Sequence, residues 1–236
     1  MYKTICILYR PIVIKIDSIT AIIIEWIHEN ISDSFTYLIE YCQTTLWSDS
    51  LLRILLTSSF GINLRQLALD DTDEMYKTRL KNRSYLQPFE PRHSDALFSP
   101  QGIAAALQLA EESFQKGTSY GFAIRNNDRD PIIGRITLSN VVQGAWQSCT
   151  VGYFVDQDYT GRGIATEALR LAVHFAFTHA ELHRVQAAIM PHNLPSLRVI
   201  EKVGFHHEGL AKYYLKINGR WEDHQIFSLT KELYKQ

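Results

Sequence analysis

The chain has 236 residues, enough for one sizeable core and an appendage, and carries 24 Lys and Arg against 25 Asp and Glu. A net charge of -1 gives no reason to expect nucleic acid or an anionic membrane as a partner. Cys6, Cys42 and Cys149 have neither paired nor metal-ligand spacing, which fits reduced thiols in a cytoplasmic protein. His174, His179 and His183 do not share a helical face, and His206 and His207 lack partners, so no metal is expected.

Residues 1–60 differ from the rest, with no glycine, one proline (Pro11) and thirteen isoleucines. Ile12, Ile14 and Ile16 alternate as a short strand would, and 18–30 and 33–47 read as helices. Glu25, Glu29, Asp33 and Glu40 cut every apolar run short of the ~18 residues that span a bilayer. No small-residue cleavage site marks a signal peptide. The segment 1–60 reads as an N-terminal extension without legible chemistry, ahead of a domain at 61–236.

From Gly61 the pattern becomes periodic. Residues 63–67 alternate as a strand, and Asp70 or Asp71 can cap a helix through about Lys81. Pro88 and Pro91 predict an extended loop over 82–95. A helix from about Pro100 to Lys116 has proline in its first turn and ends at Gly117. Strands follow at 119–125, 132–138 and 148–156, then a long helix with Leu169, Ala172, Val173 and Ala176 on one face. A strand at 184–190 precedes a helix capped by Asn193 and stopped by Gly204. Asn218-Gly219 marks a hairpin between 213–217 and 220–229. The order predicts one mixed α/β sheet.

Within this pattern, 148–177 stands out as strand, Gly-Arg-Gly step (161–163) and helix. That arrangement points free backbone N–H groups and a helix N-terminus at an anion, a phosphate or pyrophosphate. The two glycines let the backbone approach the ligand closely. A dinucleotide fingerprint needs a third glycine and a later acidic residue, and a P-loop needs Gly-Lys-Ser/Thr; both are absent.

The stretch resembles the acetyl-CoA motif of the GNAT N-acetyltransferase superfamily, Gln/Arg-x-x-Gly-x-Gly/Ala, with Thr160, Gly163 and Ala165 in its slots. Thr160 departs from the pattern and can still offer an N–H and a hydroxyl. The run 190–205, MPHN through IEKVGF, is similar to the superfamily's segment for the thiol end of CoA. SNVVQG (139–144), LQPFEP (86–91) and NGRWEDH (218–224) resemble the ribosomal-protein-alanine N-acetyltransferases of RimJ type. The resemblance covers about 62–232. It implies a mixed, mostly antiparallel sheet of about seven strands with helices on both faces and a V between strands 148–156 and 184–190. Acetyl-CoA would contact Tyr153, Val155, Thr160, Gly161, Arg162, Gly163, Ile164, Ala165, Thr166, Asn193 and Ser196.

Acetyl transfer to an amine needs a polarised carbonyl, a neutral amine, a stabilised thiolate and both substrates in line. A backbone N–H beside Gly152 can polarise the carbonyl, and a bulge there would open the V; plain packing also explains this glycine. Ser196 is the first candidate to protonate the thiolate, although Asn193 and Ser196 also suit a helix start. Tyr214 is a second donor or an amine-orienting group. An α-amine with pKa near 7.7–8.0 is about 10–20% neutral at pH 7, whereas a lysine amine near 10.4 is neutral to about 0.04%. Strand 148–156 presents Thr150, not a carboxylate, toward such an amine, which favours an α-amine; Glu90 and Asp223 remain candidate bases. Tyr85, Phe89, Glu90 and Trp221 are expected to wall the acceptor site, with Trp146 more readily a packing residue.

The expected activity is acetyl-CoA-dependent acetylation of the N-terminal alanine of a protein, by resemblance a small-subunit ribosomal protein. Alternatives are a small-amine acetyltransferase acting on a polyamine, aminoglycoside or amino acid, and a CoA-binding regulatory module without turnover.

Overall fold

The computed structural model describes residues 6–9, 12–15, 53–127 and 130–234. The chain divides into two units, 1–57 and 58–236. In the first, β1 (Cys6–Tyr9) and β2 (Ile12–Lys15) form an antiparallel pair with Cys6 opposite Lys15, and β3 (Leu55–Thr57) follows. The strand expected at Ile12 and Ile14 is present; the helices expected at 18–30 and 33–47 lie outside the described residues.

Among the described residues the second unit holds a sheet of seven strands. Its elements are β4 (Asn63–Gln66), α1 (Thr72–Lys81), α2 (Arg83–Leu86), α3 (Pro100–Gln115), β5 (Tyr120–Arg125), β6 (Gly134–Val142) and β7 (Ser148–Val155). Then come α4 (Ile164–Thr178), β8 (Arg184–Ile189), α5 (Leu194–Val203), β9 (His206–Ile217) and β10 (Arg220–Thr230). The strands run β4-β5-β6-β7-β8-β10-β9, and of these pairs only β7–β8 is parallel.

Local chemistry explains most boundaries. The Ser99 side chain accepts from the Gly102 N–H at 3.1 Å, and Pro100 needs no such partner in the first turn of α3. Asp71 precedes α1 but does not cap it. Its carboxylate instead accepts from the Ala68 N–H and pairs with Arg65 and Arg125. Asn218 and Gly219, both at positive φ, turn the β9–β10 hairpin as expected. The 82–95 segment departs from its expected extended form: α2 is followed by a 3-10 turn, Gln87–Phe89, with Pro88 inside it, and another at Asp95–Phe98. Proline's fixed φ suits a first helical turn as well as an extended chain, which is why the two readings part here.

Cross-strand pairs sort the side chains onto two faces. Phe122, Ile136 and Tyr153 lie opposite one another across β5–β6–β7, and the Phe122 ring meets Phe175 of α4 edge-on, centroids 5.0 Å apart. Ala168, Leu169, Ala172, Val173 and Ala176 of α4 are buried completely. The other face carries Ala123, Arg135 and Phe154, and there Met75 of α1 with Ile103 and Leu107 of α3 close a second core. Helices therefore cover both faces.

The feature that makes a site is the parting of β7 from β8. They pair only at Ser148–Arg184, Cys149–Val185 and Thr150–Gln186, after which β8 continues against β10 alone. Residues 151–155 keep β6 on one side and have no strand on the other. The V is present, but not through a bulge at Gly152. The β6–β7 register runs unbroken from Gly134–Val155 to Ser139–Thr150, and its one shift falls between Ser139 and Val142, where Asn140 has φ 52°.

Candidate active site

Two adjoining features follow from this parting: a glycine loop at the mouth of α4 and a cleft between β7 and β8. The loop begins at Asp156, whose side chain accepts from the Asp158 N–H at 3.0 Å and starts a 3-10 turn, Gln157–Tyr159. Lys81, at the end of α1, binds Asp156 at 2.9 Å, and the Asn82 side-chain oxygen accepts from the Gln157 N–H. Burial disfavours the charged Asp156 carboxyl, but Lys81, the Asp158 N–H and Asn82 outweigh it and hold the group below the usual carboxylate range.

Gly161 and Gly163 have φ of 75° and 80°, a region that costs any residue with a Cβ, and Gly163 is the N-cap of α4. A Cβ at either would meet nothing within 4 Å, so what glycine gives is conformation and open access. Among the described residues nothing accepts from the N–H groups of Gly161, Arg162, Gly163, Ile164, Ala165 or Thr166. Six free amides at the positive end of a fifteen-residue helix make an anion site. Thr160 does not join them as expected: its hydroxyl donates to the Gln157 carbonyl at 3.0 Å and its N–H points to the same oxygen. Arg162 donates to the Asp158 carbonyl and lies over the Tyr159 ring. Beside the loop is a cavity of about 460 Å³, edged by the cations Arg162, Arg170 and Lys202 and by Phe60.

The cleft, about 320 Å³, runs along the open side of β7 past Gly152 and Tyr153, with Asn193 and Ser196 on its wall. Asn193 caps α5, its side-chain oxygen accepting from the Ser196 N–H at 3.3 Å. Tyr153 donates to the Ser196 carbonyl at 3.4 Å, and burial pushes its own pKa well up, so it stays a phenol. Both backbone groups of Ser196 are thus engaged, and its hydroxyl lies within hydrogen-bonding reach of the Tyr153 phenol. Phe89, Glu90, His93 and Arg135 form the opposite wall.

The remaining predicted residues are dispersed. Val155 is buried in the sheet and does not reach the cleft. Tyr85 on α2 and Trp221 on β10 are exposed away from it, as is Trp146. Tyr214 reaches it only through His224, its ring edge-on to the imidazole with centroids 5.8 Å apart. Asp223 is held by Lys212 at 2.7 Å and by the Tyr213 N–H, outside the cleft. Glu90 lines the cleft, but Arg79 grips both its oxygens at 2.7 and 2.8 Å, which commits the carboxylate to that pair. Cys149, buried on β7 itself, is no nucleophile: burial lifts its thiol to about 12.

His224 went unmarked in the sequence. It is buried, lines the cleft, and its Nδ1 lies 3.0 Å from the Glu222 carbonyl. A carbonyl can only accept, so Nδ1 carries the hydrogen and Nε2 keeps a lone pair in the neutral ring. The β8–β10 pairing brings it there, Gln225 lying opposite Ile189, and a local sequence signal for that does not exist.

Comparison with known proteins agrees with this geometry. The family described as Acetyltransferase (GNAT) domain matches residues 62–206. The protein named Probable N-acetyltransferase YjcK, of Bacillus subtilis, is 39% identical over 168 residues, 71% of this chain and 93% of its own length. The [Ribosomal protein uS5]-alanine N-acetyltransferase of Escherichia coli is 37% identical over 150 residues, 64% of this chain and 77% of that protein. The solved structure of Mycobacterium smegmatis RimJ in complex with CoA-disulfide superposes with a TM-score of 0.72 at 32% identity, covering 78% of this chain and 89% of that one.

Proposed function

This chain belongs to the GNAT acetyltransferase family, and from that premise we propose that its acceptor is the N-terminal α-amine of a protein, alanine-first, with a ribosomal protein the foremost candidate. Acetyl-CoA, which GNAT acetyltransferases use, supplies an acetyl group already activated as a thioester. The six free amides of 161–166 suit its diphosphate, and the unpaired side of residues 151–155 suits an extended amide-bearing arm.

Three groups divide the chemistry. Backbone N–H groups on the open side of β7 polarise the thioester carbonyl. The Ser196 hydroxyl, on the cleft wall beside the Tyr153 phenol, delivers a proton to the departing thiolate. His224, with its Nε2 lone pair, receives the amine's proton.

The observation that carries the α-amine reading is the state of Glu90. It is the one carboxylate lining the cleft, and Arg79 occupies it. A lysine acceptor, almost wholly charged at pH 7, needs a strong base close by; an α-amine, already neutral in part, is served by an imidazole. A polyamine would meet Arg135 and His93, and among the described residues lining the cleft its one acid is already paired with Arg79. The same likeness to the Escherichia coli uS5-alanine enzyme supports a ribosomal acceptor, and such an acceptor places the protein in the cytoplasm.

A thiol-release assay with Ala-, Ser- and Met-starting peptides, spermine and N-blocked lysine peptides tests this reading. The Ala and Ser peptides should give the highest kcat/KM. Equal turnover of lysine peptides would overturn it.

A further inference from the structure

Arg135 sits in the middle of the sheet, yet its guanidinium has no ion pair or hydrogen bond among the described residues. Its cross-strand neighbours, Ala123 and Phe154, are both buried, whereas Arg135 itself is exposed and reaches into the open space over that core. The side chain instead opens onto the cleft, and onto a second cavity of about 150 Å³ that reaches back between α1, α3 and the sheet.

The charges around it do not balance. Arg79 lies over the Phe154 ring at 5.1 Å, immediately beside Arg135, and takes both oxygens of Glu90. His93 has its pKa lowered, chiefly by burial and further by Arg79 and Arg135, against the pull of Glu90. Two guanidinium groups thus share one wall with a single carboxylate. An accessible guanidinium with no hydrogen bond of its own is available to a ligand in the cleft, and a carboxylate matches its planar fork.

We propose that Arg135 binds a carboxylate carried by the acceptor near its reacting amine, making it a specificity-determining residue of the acceptor site. This inference rests on the amine-acceptor reading above and names the acceptor's class: an amine with an acid close behind it. Two sources supply that chemistry, an Asp or Glu among the first few residues of a peptide and the terminal carboxylate of a free amino acid or dipeptide.

The test uses the full chain with acetyl-CoA and four acceptors: Ala-Ala-Ala-Ala amide, the same peptide with Asp at its second or third position, and Ala-Ala as free acid against Ala-Ala amide. Wild type should favour acidic acceptors by about tenfold or more in kcat/KM, expressed in acceptor KM. R135Q should reduce that advantage to under about twofold while leaving the KM for acetyl-CoA unchanged, and R135K should keep part of it. Which acidic acceptor leads tells peptide from free acid. Absence of preference in wild type, or an R135Q effect on acetyl-CoA KM alone, overturns the proposal. Calorimetric binding of the N-acetylated peptides to the CoA-loaded protein gives a readout free of turnover. Acidic peptides that bind selectively but are never acetylated would sink the function and leave the anion site; acetylation blind to charge would do the reverse.

Discussion

Ser196 shows how one residue can serve structure with its backbone and chemistry with its side chain. Asn193 uses its N–H and Tyr153 its carbonyl, so removing the hydroxyl costs α5 nothing. Ser196→Ala should therefore lower kcat about 10²-fold with thermal stability and acetyl-CoA affinity unchanged; an unaltered kcat would reduce the serine to a helix-cap neighbour. His224 and Glu90 separate in the same way. His224→Gln should cost about 10²-fold in kcat/KM. Glu90→Gln should instead destabilise the fold by about 1–3 kcal/mol, read from urea unfolding, because it breaks a charged fork to Arg79. Of these, Asn193 and Ser196 were legible because a helix start is a local pattern. His224 and Arg135 were not: each occupies a polar slot of an alternating strand, and only the stacking of distant strands turns that slot toward a cleft.

Elements were legible where a local rule fixes them. Ser99-Pro100, Asn193 and Gly204 mark helix ends, and Asn218-Gly219 marks the hairpin, each through hydrogen bonds or φ values that near neighbours determine. The expected bulge at Gly152 failed because a strand glycine has several uses, and the parting of β7 from β8 is decided by β10 taking the edge of β8. The loop before α4 is likewise secured from outside, by Lys81 and Asn82 of the α1 region on Asp156 and Gln157. That anchorage has a pH signature. Asp156 has a depressed pKa in the folded state, so its contribution is present above the unfolded aspartate value near 3.9 and is lost as pH falls through the folded one. Asp156→Asn should lower the urea midpoint by a constant amount from about pH 5 to 7, with the gap closing below about pH 4. A gap independent of pH down to 3 would show that the charge on Asp156 does not hold the loop.

For the whole molecule, every residue assigned a role here lies between 58 and 236, within the second unit. The family match begins at 62, and 71% of this chain spans 93% of YjcK. A solved RimJ chain is likewise covered to 89% by 78% of this one, so a segment of that length makes a folded unit in a relative. The composition changes at residue 60, after which glycine first appears and isoleucine thins out; the order of strands did not follow from it. A hairpin signal joins β9 to β10, but which of the two abuts β8 depends on the faces they bury, and β9 is exposed along most of its length whereas β10 buries Phe227, Ser228 and Leu229. The strand with the apolar face takes the inner place, because burial rather than sequence order is what stabilises it. If the second unit carries its own core, a chain starting at Ser58 should unfold in one cooperative transition and keep its acetyl-CoA KM within about threefold of the full chain. Loss of cooperativity, or of acetyl-CoA binding by calorimetry, would mean that residues 1–57 complete the fold.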